Sequence, residues 1–261
     1  MDLSLAGKHA LVCGASGGIG KSTALALAAA GAEVTVLARS ASKLEALTAE
    51  LTAAGAPKAH ALALDLDERD ALPGRVGAHL EAHGPCQILI NNAGGPPGGP
   101  LLQATPDQFL SAFGRHVLAP HLLVQALLPG MQAAGYGRIV NVVSTSVREP
   151  IPGLGVSNTT RGAVASWSKT LSRELPPGVT INCVLPGFTD TERLTSLAAG
   201  KAERGGTTPD AIFAAWLAGV PEGRLAKPEE TAGVIAFLCS PAGAFVRGVC
   251  LAVDGGRLNS I

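Results

Sequence analysis

Gly14-Ala15-Ser16-Gly17-Gly18-Ile19-Gly20 follows a short apolar run and opens a stretch of small, helix-forming residues. Glycines at such a junction permit a tight turn and let backbone N–H groups, at the positive end of a helix, approach a pyrophosphate. Farther on, Ser144 ends the run Arg138-Ile139-Val140-Asn141-Val142-Val143. Ser157 stands thirteen positions later, and Arg161 four beyond that. On a helix, that last spacing places an alcohol and a guanidinium one turn apart. His79-Leu80-Glu81-Ala82-His83 also sets two imidazoles one turn apart, the spacing of a metal-binding pair. Its glutamate is not next to the first histidine, as the zinc-peptidase pattern requires. No third ligand is evident in the sequence, so the pair reads as a solvated helix face and no metal is expected.

The elements that would position these groups alternate regularly. Strand-length apolar runs fall at 9–13, 33–38, 59–64, 87–90, 138–143, 180–184 and 249–253, with helical stretches at 19–30, 42–54, 69–83, 106–134, 156–175 and 228–239 between them. Such alternation implies right-handed crossovers and an α/β fold, a parallel sheet of about seven strands covered on both faces. Ligands then bind beyond the carboxyl ends of the strands, where the winding reverses. No stretch resembles an interdomain linker, so residues 1–261 read as one domain. Gly94–Pro100 reads as a loop, and the segment at about 190–220 as a mobile insertion near the site.

Composition narrows the function classes. Apolar residues make up 47% and charged residues 15%, which predicts a large core and argues against disorder. Twenty basic and twenty acidic residues cancel, leaving no field that would draw the chain to nucleic acid or a membrane surface. The first residues lack the basic start and apolar core of a signal peptide, and no run is long enough to span a bilayer. The five cysteines, at 13, 86, 183, 239 and 250, have no paired spacing. They read as buried thiols of a cytoplasmic protein rather than disulfides or a zinc site.

Further segments accompany the glycine turn. They are Leu64-Asp65-Leu66, Asn91-Asn92-Ala93-Gly94, Pro186-Gly187-Phe188-Thr189-Asp190-Thr191 and Asp254-Gly255-Gly256. With Gly14-x-x-x-Gly18-x-Gly20, in this order and spacing, they make nearly the whole chain similar to the short-chain dehydrogenases/reductases. The resemblance implies a Rossmann-type, doubly wound sheet and a nicotinamide cofactor held by Gly14, Ser16, Gly17, Gly18, Ile19 and Gly20. It further implies that Asp65 contacts the adenine ring and that the Asn92, Ala93 and Gly94 segment lies beside the ribose. Pro186, Gly187, Thr189 and Thr191 would hold the nicotinamide carboxamide. At the end of the second strand, Ala38 leaves space, Arg39 supplies a guanidinium suited to a 2′-phosphate, and Ser40 follows. NADP(H) is therefore expected rather than NAD(H).

The departures lie at the catalytic residues. The resemblance places the family's catalytic tyrosine at Ser157, its lysine at Arg161 and its helix asparagine at His116, with Ser144 retained. The only tyrosine, Tyr136, precedes the fifth strand, at the wrong end for catalysis. A serine would reach a carbonyl only through a bridging water. A permanently charged arginine such as Arg161 can hold the cofactor's ribose hydroxyls or favour an alkoxide, but cannot relay a proton. His116 is the one candidate expected to titrate near neutrality. The leading expectation is an NADPH-dependent reductase of a small or mid-sized ketone or aldehyde, with water- or substrate-assisted protonation. The rival is an inactive nucleotide-binding sensor or partner subunit. The resemblance also implies a homodimer or homotetramer formed through the helices at 106–134 and 156–175. The stripe Ala163, Val164, Trp167 and Leu171 on the second helix serves equally as an interface or as core.

Overall fold

Parallel strands covered on both faces must be apolar at nearly every position. The computed structural model, which describes residues 1–260, shows this in β1 (His9–Cys13), β4 (Ile88–Asn91), β5 (Gly137–Val142) and β6 (Val179–Pro186), each buried along its full length. With β2 (Glu33–Ala38), β3 (Ala59–Ala63) and β7 (Cys250–Val253) they form one parallel sheet in the order β3-β2-β1-β4-β5-β6-β7. The winding reverses between β1 and β4, so the crevice at their carboxyl ends is the expected ligand site.

Side-chain alternation sorts the core into two layers. Val12, Val34, Val36 and Ile90 face α1 (Gly18–Ala29), α2 (Ala41–Ala54) and α9 (Pro228–Cys239). Leu11, Leu37, Leu62 and Leu89 face α3 (Leu72–His83), α5 (Ala119–Ala133) and α6 (Gly155–Glu174). The stripe on α6 is core: Val164 is buried, and Trp167 and Leu171 pack on the second layer. Of the five free cysteines, four are buried and Cys250 is partly buried.

Two segments differ from the sequence expectation. The single helix expected at 106–134 is interrupted. α4 (Pro106–Phe113) leads into a π-helical turn at Gly114–Leu118 before α5 begins. Pro120 has no N–H to donate to the His116 carbonyl, and its ring crowds that carbonyl in a regular helix. Widening the turn relieves the clash, and such turns commonly mark functional sites. The segment expected as an insertion forms α7 (Glu192–Gly205) and α8 (Pro209–Leu217), capped by Thr191 and Thr208 through bonds from Leu194 N and Ala211 N. Ala198, Ala202 and Ile212 give this pair a small core, and Trp216 stacks on Phe188 with ring centroids 5.0 Å apart.

Candidate active site

The β1–α1 turn is shaped by what it excludes. Gly14 has φ +60, and a Cβ there would lie 2.6 Å from the Asn92 carbonyl oxygen; at Gly20 it would lie 2.2 Å from the Gly14 carbonyl oxygen. Asn92 Nδ2 donates to Gly14 O at 3.2 Å, tying the end of β4 to the turn. Toward the crevice the surface is open, with nothing within 4 Å of a Cβ built on Gly17 or Gly94. Ser16 and Gly17 are exposed, Ile19 packs on the core, and the first turn of α1 has no acid to neutralise its positive end. These features fit a pyrophosphate held by backbone N–H groups.

Beyond β2, Arg39 is 79% exposed and 4.0 Å from Asp65 Oδ2. Ser40 is the N-cap of α2, but its side chain makes no capping bond. Asp65 accepts from Asp67 N at 3.1 Å. An exposed guanidinium, a hydroxyl whose one contact is Ser42 Oγ at 3.4 Å, and a helix N-terminus together fit the 2′-phosphate. On the nicotinamide side, Pro186 ends β6, and a Cβ on Gly187 would lie 2.7 Å from Asp254 Cα. Thr189 Oγ1 donates to Gly187 O at 3.3 Å, and Thr191 lies against the glycine turn, its Cγ2 3.1 Å from a Cβ built on Gly18.

At the carboxyl end of β5, Ser144 Oγ accepts from Ser146 N at 3.1 Å, which leaves its hydroxyl proton free to donate. Ser157 and Arg161 lie in the first two turns of α6. Ser157 makes no side-chain hydrogen bond among the described residues. Arg161 Nη1 donates to Val142 O at 3.0 Å. Arg161 and His116 line one hollow with Asn92, Ala93 and Arg115. Burial and the neighbouring Arg193 bring the Arg161 guanidinium down to about 10, so it stays charged at neutral pH. Beneath the hollow, Asn91 donates to Asn141 Oδ1 at 2.7 Å, and Asn141 donates to Ser168 Oγ at 2.7 Å, locking β4, β5 and α6 together.

His116 requires a correction. It is 7% exposed, and burial together with Arg161 and Arg115 pushes its pKa down to about 3. Its imidazole is neutral near pH 7 and is not the acid expected from its type. Nε2 is nonetheless a buried atom with no hydrogen-bond partner. Tyr136 is at the far end of β5, donating to Cys239 O, with burial raising its hydroxyl to about 12. Sequence reasoning missed Arg193, in the first turn of α7. A Cβ built on Gly95 would lie 3.3 Å from Arg193 Nη2 and 3.6 Å from Arg161 Nη2. Neither guanidinium forms an ion pair among the described residues; the nearby Arg115 pairs with Asp67. A cation in the first turn of a helix opposes the helix dipole, but with 190–220 read as an insertion the sequence offered no such signal.

Residues 8–202 match the family model described as short chain dehydrogenase. Gluconate 5-dehydrogenase of Gluconobacter oxydans is 36% identical over 260 residues, covering 99% of this chain and 97% of that protein. The 3-oxoacyl-acyl-carrier-protein reductase of Pseudomonas aeruginosa is 34% identical over 265 residues, covering 99% of this chain and 100% of that protein. The crystal structure of L-sorbose reductase from Gluconobacter frateurii, complexed with NADPH and L-sorbose, superposes with a TM-score of 0.92 at 28% identity, over 100% of both chains. Motif order, sheet topology and full-length identity agree, and the chain belongs to the short-chain dehydrogenase family.

Proposed function

We propose that the protein is a carbonyl reductase that uses NADPH and protonates its product through a held water instead of a side-chain acid. The observation carrying this reading is the Arg161 guanidinium, charged and without a carboxylate partner, beside an intact nucleotide cradle. The cofactor is NADP(H), consistent with the NADPH held by L-sorbose reductase and with Arg39 and Ser40 here. When bound, it supplies a hydride to the carbonyl carbon. Ser144 donates its free hydroxyl proton to the carbonyl oxygen and orients it. Arg161 stabilises the oxyanion that develops, an effect worth about 10²–10³ in turnover for one such donor. Ser157 Oγ or His116 Nε2, the latter a buried atom without a partner, holds the water that passes a proton to the alkoxide and is itself reprotonated from solvent.

The same pocket suggests the substrate. Arg161 and Arg193 approach one point near Gly95 with no acid between them, and burial holds the Arg193 guanidinium below its usual value. Two unpaired cations in a partly desolvated site favour a ligand that brings the counter-charge, so the substrate is a ketone or aldehyde bearing a carboxylate. Arg193 sits on α7, and closure of the α7–α8 segment over the crevice would complete the site. Assembly as a dimer or tetramer would cover the exposed Leu110 and Phe113 of α4, and sedimentation that shows only monomer would exclude it. The substrate reading is tested by following NADPH oxidation with keto acids and their methyl esters. The acids are expected to turn over at lower KM, with Arg193→Ala raising KM for the acid about 10–100-fold, as expected for a lost charged hydrogen bond, and leaving the ester unchanged. Equal handling of acid and ester by native protein would defeat this assignment.

A further inference from the structure

Four of the six histidines converge at the amino-terminal edge of the sheet, away from the nucleotide crevice. Strand register brings them together. His9 is the partner of Glu33 across β1 and β2, and Thr35 is the partner of His60 across β2 and β3. Since side chains two apart share a face, His9, Glu33, Thr35 and His60 all point to the side covered by α3. That helix brings His79 and His83.

We propose that His9, Glu33 and His60 form a binding site for a zinc-class divalent cation. Their donor atoms all lie within 4.8 Å of one another, and His60 Nε2 is already 2.8 Å from Glu33 Oε1. Ligand atoms of a tetrahedral zinc ion are separated by about 3.3 Å, so small side-chain rotations close the set. Two imidazoles and a carboxylate are the donor types such ions select.

The surroundings orient these ligands. His9 Nε2 and His79 Nε2 each lie 2.8 Å from Thr35 Oγ1. One hydroxyl can accept from one ring and donate to the other, which fixes the His9 ring. His9 is 5% exposed, and its Nδ1 is left buried without a hydrogen-bond partner. A histidine tied through one nitrogen, with the other free, is the usual arrangement of a metal ligand. His83 stacks on His60, with ring centroids 4.0 Å apart at 31°. The Glu33 and His60 side chains remain 19% and 17% exposed, which gives an ion entry from solvent and leaves a fourth position for water.

The site and the crevice occupy opposite ends of the same strands. Five steps along β2, from Glu33 to Ala38, amount to about 16 Å. The ion would therefore fasten β1, β2 and β3 together without touching the nucleotide, and the inference is independent of the proposed reductase activity.

The test uses full-length protein freed of metal by chelation and titrated with zinc against a chromophoric chelator. The expected result is one zinc per chain with micromolar or tighter affinity, weakened at least about 10-fold by His60→Ala and by Glu33→Gln. Zinc at 100 times its Kd should raise Tm by about 5–10 °C in the native protein but not in His60→Ala. NADPH affinity, measured on the same samples, should be equal in native and variant proteins and so confirm that each is folded. Undiminished zinc affinity in both variants, or no stoichiometric binding below millimolar zinc, would overturn the proposal.

Discussion

The proposed nucleotide half of the crevice, built on β1, α1 and β2, and the proposed catalytic half, built on β5 and α6, are constructed in different ways. The first acts largely through backbone: an open glycine turn, a helix end without an acid, and glycines at Gly14 and Gly20 whose neighbours leave no room for a Cβ. The second acts through individual side chains projecting from elements that are stable without them. Ser157 and Arg161 are partly exposed on a helix whose core positions, such as Val156, Thr160 and Val164, lie elsewhere. Backbone recognition cannot be edited without rebuilding the turn, whereas side-chain chemistry can change while the fold persists. The proposed replacement of the family's acid within an intact frame is the kind of change this difference allows.

That contrast can be broken most forcefully at Arg161. Arg161→Ala should lower turnover about 10²–10³-fold, the cost of removing one oxyanion-stabilising donor, while Tm changes little; a comparable loss of Tm would make Arg161 structural. Gly20→Ala should weaken binding of both NADPH and NADH by about 1–3 kcal/mol through overpacking against the Gly14 carbonyl, as fluorescence titration would measure. Unchanged affinity would show that the turn is not a rigid cradle. Arg39→Ala should cost NADPH about 1.5–3 kcal/mol and leave NADH nearly unaffected, and equal losses would remove Arg39 from nucleotide choice.

A further expectation concerns acid and His116. Because the folded pKa is lowered to about 3 from 6.5, the unfolded chain binds a proton there that the folded one does not. Its contribution to stability is therefore full above pH 6.5 and is lost progressively as the pH falls toward 3. From pH 6.5 to 4, His116→Asn should lose about 2–3 kcal/mol less stability than native protein, measured by denaturant unfolding. The variant should also keep the native pH profile of turnover between pH 6 and 8. A profile that flattens in His116→Asn would restore the histidine as a proton donor.

Legibility followed the same division. Strands β1 and β2 and helix α9 were readable to the residue because their apolar runs are bounded by glycine, proline or polar residues. The tight glycine turn after β1 was readable because its requirements are local in sequence. The π turn at His116 was not, since it arises where Pro120 meets an otherwise regular helical pattern. Nor was the low pKa of His116, which depends on burial beside Arg161 from another element. Arg193 and the histidine cluster were hidden for one reason: their partners come from strand register and crossover packing, which spacing along the chain does not encode. The spacing of His79 and His83 was visible, but the solvated face expected of it was wrong: His79 is buried against Thr35, and His9, Glu33 and His60 reach it only through the pairing of β1, β2 and β3.

The proposed function requires that the altered side-chain set still catalyse reduction. The direct measurement is carbonyl-dependent NADPH oxidation by native protein beside the double variant Ser157→Tyr with Arg161→Lys, across a panel of keto acids. Turnover by native protein and lower turnover by the double variant are expected, because the proposed mechanism relies on a short hydroxyl and a held water. Native protein that binds NADPH yet reduces nothing on the panel, while the double variant gains activity, would contradict it and mark the site as a nucleotide sensor.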